Sequence, residues 1–219
     1  MLPEIFIATF LGLCLGIFYL VNLINLLRNR MRRKSEVTPE KLQLETSEPP
    51  RTLPLGLAAF GTIVFWSDSI LYVLLIFTGV LPYFKWFLFP LRFLLDSYVQ
   101  VLGIVLTAFG YLLFTWSVIV RGRFATAWEM PEDHKLVTWG PYKYVRHPSY
   151  LAYFIMFPSL FCISLTWIAL IPILAIPGYL QIVDQEEKLL IQRFRDEYTT
   201  YQKNVGQFFP RWKPTKNKG

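Results

Sequence analysis

Two short stretches of this 219-residue chain hold most of the residues that can do chemistry. The first is 134–150, HKLVTWGPYKYVRHPSY. Gly140-Pro141 marks a turn. His147 precedes a proline, which disfavours the helical region of backbone space. Pro148 suits the first position of a helix, where its missing N–H costs nothing. His147 is therefore expected as an N-cap. The N–H groups of Ser149, Tyr150 and Leu151 then point back out of the helix. A helix end of this kind receives a carboxylate or phosphate at the positive pole of the dipole. Arg146 stands beside it as a bidentate donor. The plainer alternative is that Arg146 reaches lipid headgroups and His147 only caps the helix.

The second stretch is 184–210, DQEEKLLIQRFRDEYTTYQKNVGQFFP. Asp184 and Glu187 have the spacing of a capping box, so a new helix is expected to start at Asp184. Glu186, Leu190, Phe194, Tyr198 and Tyr201 fall on one helical stripe. That stripe must face something apolar, either the underside of a bilayer or the 121–147 loop. It carries Glu186 inward, and a buried carboxylate needs a partner. Arg146, His147 or ligand hydroxyls and amines are the candidates. Alternatively Glu186 is a solvated acid in a first turn. Glu187 has a sufficient role as a cap.

The remaining signals are sparser. Asp68, in FWSDSILY, falls in the middle of an apolar run, where a charge costs about 2.5–3.5 kcal/mol on insertion scales. Ser67 and Ser69, or a polar group on a neighbouring helix, are its expected partners. Gly12 and Gly16 form a GxxxG, a helix-contact pattern. There is no Cys/His cluster with zinc spacing, no P-loop and no GxGxxG. Known soluble nucleotide-binding folds are therefore not encoded, and no metal partner is expected.

These stretches need elements to hold them, and the composition says which. The hydrophobic fraction is 54% and the charged fraction 17%, against roughly 45–50% and about 25% in soluble domains. These numbers speak against a water-soluble domain and exclude a disordered chain. Two Cys, Cys14 and Cys162, rule out a disulfide scaffold. A bilayer needs about 20 apolar residues per crossing. Five segments qualify: 4–27, 54–80, 97–120, 148–164 and 166–183. The expected fold is all-α and integral to the membrane, one domain over 1–219, with about five transmembrane helices and a cytoplasmic amphipathic C-terminal helix. The first segment is read as a retained anchor, because its basic run follows it rather than preceding it.

Charge gives the expected orientation. Segment 28–52 holds seven Lys/Arg, 121–147 five and 185–219 eight, which is 20 of the 22. Five crossings put all of these on one side, hence the N-terminus outside and the C-terminus in the cytoplasm. Anionic lipid attracts each such residue by about 1 kcal/mol, which explains the basic balance without nucleic acid. Segment 28–52 is expected as a polar cytoplasmic linker, 81–96 as lying along the outer interface. Segments 121–147 and 184–212 are the cytoplasmic pieces with chemistry.

The order of motifs resembles the C-terminal half of integral-membrane methyltransferases. They are His134-Lys135-Leu136-Val137, Gly140-Pro141-Tyr142, Arg146-His147-Pro148-Ser149-Tyr150, then Glu186-Glu187 with Glu197-Tyr198 and Tyr201. The resemblance runs over about 115–212. It points to the isoprenylcysteine carboxyl methyltransferase family and its short prokaryotic relatives, with phospholipid N-methyltransferases sharing part of it. It implies an S-adenosyl-L-methionine site made by the cytoplasmic loops and the tail helix. His134, Lys135, Leu136, Val137 and Tyr142 would line the adenosine and methionine moieties. His147, Pro148, Ser149 and Tyr150 would bind cofactor at the helix end, and Glu186 would be its acidic ligand. Two positions depart from the family pattern. Ile182 stands where the isoprenylcysteine enzymes have an Arg linked to substrate, and Phe194-Arg195 replaces a Phe-Gly.

The implied reaction is methyl transfer to a lipophilic, membrane-embedded acceptor, a carboxylate being one candidate, in a prokaryotic cell membrane or the endoplasmic reticulum. An activated methyl needs alignment and exclusion of water rather than a covalent nucleophile. Arg146 is the candidate catalytic residue, orienting an anionic acceptor. Two alternatives stay open. Membrane sterol and steroid reductases share a similar Arg-His-x-x-Tyr and tail pattern with NADPH. A non-catalytic membrane protein of the same fold, or a transporter, is the other.

Overall fold

The computed structural model describes residues 1–35, 45–46, 52–88, 91–122, 124, 129–130 and 135–211. His134 and most of the 28–52 linker lie outside the described residues. The architecture is all-α and multi-pass. Its helices are α1 (Glu4–Ser35), α2 (Thr52–Phe77), α3 (Leu81–Leu88), α4 (Asp96–Arg121), α5 (Pro148–Ser164) and α6 (Ala175–Asn204). The described non-helical pairing is small. Glu45–Thr46 pairs antiparallel with Glu129–Met130, and Val145 bridges Gly206 in parallel.

Four stretches are long and apolar enough to cross a bilayer: Glu4–Arg28, Leu53–Phe77, Asp96–Arg121 and Ile168–Asn204. α5 has 17 residues, the lower limit for a crossing. Two expected boundaries shift. α1 remains helical to Ser35, into the segment read as linker. The fifth segment opens as a 3-10 turn over Ile168–Leu174 with Pro172 inside it, because proline removes an N–H from the α ladder.

A third difference matters more for function. No helix begins at Asp184; α6 runs through it from Ala175, and its only non-helical residue is Arg195 (φ 47°). The capping-box pattern is overridden because the residues on both sides of Asp184 are already helical. A cap is needed only where N–H groups lack partners. The membrane half of α6 therefore passes directly into its polar half.

α4 and α5 form the central contact. Gly103 and Gly110 let α5 approach closely: a Cβ on Gly103 would stand 2.8 Å from the Cβ of Cys162, and one on Gly110 2.5 Å from Met156 Cγ. Thr107 Oγ1 donates to Ser159 Oγ (2.9 Å), and Gln100 Nε2 donates to the carbonyl of Ile163 (3.0 Å). Small residues and interhelical hydrogen bonds are what hold helices together where water is absent. The Gly12/Gly16 pattern is used in part, since Gly12 faces Val73 of α2 and Gly16 faces open space. Asp68 Oδ2 and Ser69 Oγ are both buried without a hydrogen-bond partner, so Ser69 does not serve that oxygen as expected.

Candidate functional site

The site is built where three pieces of backbone meet. The Gly140–Lys143 turn brings the chain back under α4, with Gly140 at φ 63° and its Cα against Val120. The chain then enters α5 at His147, the N-cap, with Pro148 in the first turn. His147 makes no side-chain capping bond; its ring is used elsewhere. Leu151 N–H already donates to the His147 carbonyl (3.0 Å), so it is not among the outward-facing donors expected from the sequence. The third piece is the polar half of α6 and the chain just after it. Arg146 N–H donates to the Gly206 carbonyl (2.8 Å), and His147 N–H to that of Gln207 (3.1 Å).

The stripe on α6 faces the loop, not the bilayer. Leu189, Leu190 and Tyr198 are buried with Leu136, Phe194 and Tyr201 packed against them. Tyr201 Oη donates to the Tyr142 carbonyl, which ties the two segments together.

The two acids have separate surroundings. Glu187 accepts from Arg146 Nε (2.8 Å), Arg146 Nη2 (3.1 Å) and Gln202 Nε2 (2.9 Å). His147 Nε2 lies 3.0 Å from Glu187 Oε1. An ionised carboxylate only accepts, so Nε2 carries the proton of that bond. Burial works to raise the Glu187 carboxyl, but the His147 and Arg146 bonds outweigh it and hold it at about 2. Glu187 is thus the hub of a clamp rather than a helix cap. Glu186 is 8% exposed. It accepts from Tyr150 Oη (2.6 Å), while its other oxygen is 3.9 Å from His147 Nδ1. Burial pushes its carboxyl above the ordinary value, with His147 and Tyr150 opposing. The inward direction expected for Glu186 is correct, and Tyr150 is its partner.

Arg146, the candidate for orienting an anionic acceptor, is bound largely to the protein itself. Nε and Nη2 go to Glu187, and Nη1 donates to the carbonyls of Val205 and Gln202. Four of the five N–H donors of Arg146 are engaged in these bonds. It fixes Glu187 and the segment after α6.

Leu136, Val137, Tyr142, Arg146, His147, Pro148, Ser149, Tyr150 and Glu186 all line one open cavity. Lys135 is exposed and does not line it. Leu190, Tyr198 and Tyr201 also line it; the α6 stripe already singled them out, though not as site residues. Arg121 and Phe124 line it too and were missed. Arg121 counted only as one charge of a basic segment, and its place as the last residue of α4 was the available signal.

Burial also leaves polar atoms unpaired here. Arg121 Nε, Ser149 Oγ and Tyr198 Oη line the cavity without hydrogen-bond partners. Buried donors in that state indicate a missing ligand or water. From the cavity a series of rings leads toward the membrane interior: Tyr150–Tyr179 (5.3 Å between centroids), Tyr179–Tyr153 (5.5 Å, 8° between planes), Tyr153–Phe157 (5.4 Å) and Phe157–Phe65 (5.3 Å). Among the described residues no group of three or more His, Cys, Asp or Glu is placed to hold a metal ion.

Residues 101–192 match the isoprenylcysteine carboxyl methyltransferase family, so the resemblance drawn from the motifs is borne out for this part of the chain. Three similar proteins carry the name protein-S-isoprenylcysteine O-methyltransferase. That of Dictyostelium discoideum is 37% identical over 84 residues, covering 37% of this chain and 35% of the relative. That of Tribolium castaneum is 36% identical over 90 residues, 37% of this chain and 30% of the relative. That of Xenopus laevis is 28% identical over 125 residues, 52% of this chain and 41% of the relative. The matched part of the chain thus spans about a third of the length of these relatives.

Proposed function

We propose that this chain is an S-adenosyl-L-methionine-dependent methyltransferase of the bilayer surface, acting on a lipidic acceptor. The observation that carries the reading is the cavity between the α5 N-terminus and α6. It holds a buried carboxylate, Glu186, bonded to Tyr150, together with buried donors that lack partners. A ligand with both a carboxylate and donor groups fits such a donor set. The cofactor supplies an activated methyl group.

The protein residues then have distinct tasks. Glu186 accepts from an ammonium or ribose hydroxyls. Ser149 and the first N–H groups of α5 donate to a carboxylate. Leu136, Val137, Leu190 and Tyr198 provide apolar cover and exclude water, which strengthens the polar contacts inside. Glu187, Arg146 and Gln202 hold the α5 entrance against α6, so the binding groups are pre-aligned. A lipid tail would reach the cavity sideways between helices. A carboxylate acceptor is ionised at neutral pH and needs no base. The isoprenylcysteine carboxylate of the similar proteins is one candidate, although the position expected to recognise it is the buried Ile182.

The test is calorimetry on the full chain in detergent, with S-adenosylhomocysteine and NADPH titrated separately. Binding of S-adenosylhomocysteine at micromolar to sub-millimolar affinity supports the reading. Binding of NADPH alone turns it toward a reductase.

A further inference from the structure

The polar groups of the cavity are unequally satisfied. Arg146 and His147 are committed to Glu187. Arg121 is different. It arrives from the end of α4, lines the same cavity, and has a buried Nε with no partner. Among the described residues it makes no ion pair. Its positive charge acts on the Glu186 carboxyl, and its guanidinium acts on the Tyr142 hydroxyl by charge and by a side-chain hydrogen bond, which leaves Nε unused. The cavity therefore has a cation on its α4 wall and a buried carboxylate on its α6 wall. They sense each other's charge without meeting. Beside them stand Ser149 Oγ and the positive end of α5, both donors.

A simple end-of-helix role for Arg121 does not explain this. An arginine that only complements the α4 dipole or reaches headgroups keeps its guanidinium in water or lipid phosphate. A buried guanidinium nitrogen without an acceptor is costly, and the cost is recovered when an anion arrives. Arginine is also the side chain best shaped to take a carboxylate with two parallel bonds.

We infer that Arg121 is a ligand-binding residue that takes the carboxylate of the cofactor's amino-acid end, opposite Glu186, which takes the ammonium. The pair reads a zwitterion by its two charges, with Ser149 and the α5 N-terminus supporting the anionic side. This rests on the methyltransferase reading above and adds a residue and a recognition rule to it. The rule is that affinity should depend on the amino-acid end of the ligand, not only on its nucleoside.

Two ligands separate these contributions. S-adenosylhomocysteine has the nucleoside and the amino-acid end; 5′-methylthioadenosine has the nucleoside and thioether without the amino-acid end. Both are titrated calorimetrically into the full chain in detergent, for the wild type, Arg121→Met, Arg121→Gln and Arg121→Lys. Loss of a charge-assisted hydrogen bond corresponds to about a ten- to hundredfold change in Kd. The expected result is that Arg121→Met weakens S-adenosylhomocysteine by that factor and leaves 5′-methylthioadenosine within about twofold. Arg121→Lys should recover part of the loss, and the ligand-free melting temperature should stay close to wild type. If Arg121→Met fails to fold, Arg121→Gln, which keeps a donor and much of the volume, carries the comparison. Unchanged S-adenosylhomocysteine affinity in Arg121→Met, against a wild type that binds it, overturns the inference and leaves the methyltransferase reading standing. Equal weakening of both ligands also overturns it, since the residue would then be structural. A wild type that binds neither ligand removes both readings together.

Discussion

Glu187→Gln should damage the fold far more than a lost helix cap would. The carboxylate is 12% exposed and its Arg146 partner 8%, so both charges are largely out of water. The substitution keeps shape and removes the negative charge. Arg146 Nε and Nη2 then face an amide that offers one acceptor and an opposing N–H group. Breaking a buried pair while leaving one charge costs on the order of 3–5 kcal/mol. The acidity of Glu187 gives a similar size by a separate route. Its carboxyl is held at about 2 against an ordinary 4.5, which is on the order of 3 kcal/mol of linked stability. A capping role alone would cost about 0.5–2 kcal/mol. At roughly 2–4 °C per kcal/mol for a chain of this size, the melting temperature should fall by about 6–20 °C. The assay is heat-dependent loss of the detergent-solubilised monomer peak, with Glu186→Gln as the companion. The pH profile gives a second check. A depressed folded-state pKa adds stability that is present above the unfolded value of 4.5 and is lost as pH falls toward 2. Glu186 is raised and has the opposite sign, losing stability as pH rises through its range. Glu187→Gln should therefore reduce the acid-side loss. A Glu187→Gln protein that melts with the wild type and keeps its acid-side loss would refute the clamp.

Other outcomes follow from the same geometry. Glu186→Gln should raise the Kd for S-adenosylhomocysteine about ten- to a hundredfold in calorimetry, with little change in ligand-free melting; a melting loss as large as that of Glu187→Gln would contradict its assignment as a ligand group. Gly206→Ala should lower thermal stability by roughly 1–3 kcal/mol and weaken ligand binding, because its Cβ would fall 1.8 Å from the Phe209 carbonyl oxygen while its own carbonyl holds Arg146. For the five-crossing topology, membrane-impermeant thiol reagents should label Tyr83→Cys from outside and Lys203→Cys only after permeabilisation, in a chain with Cys14 and Cys162 replaced by Ser. Labelling of both from one face would refute that topology.

The helices that cross the bilayer were readable in the sequence because lipid leaves the backbone few options. Without water, each N–H must be satisfied within its own helix, so 20-residue apolar runs announce themselves. The α5 entrance was readable for a similar local reason: Pro148 fixes one backbone angle and restricts His147. The phase of the α6 stripe, with Glu186 turned inward beside Leu190 and Tyr198, followed from helical periodicity.

The separate roles of the acids, by contrast, were decided by tertiary structure. Asp184 and Glu187 satisfy the spacing of a cap, and nothing local says that α6 is already helical from Ala175 onward. Glu187 becomes a hub only because Arg146 and His147 arrive from some 40 positions away and Gln202 from the following turns. Arg146 looked available for a ligand until the segment after α6 brought the carbonyls of Gln202 and Val205 to its fork. Arg121 looked like one charge among many until the Gly140 turn folded the loop back under α4. Sequence patterns report what a segment does with its own neighbours within a turn or two. Which charge meets which depends on side chains brought together across long chain separations, and burial then sets whether a given charge is spent on the fold or kept for a ligand.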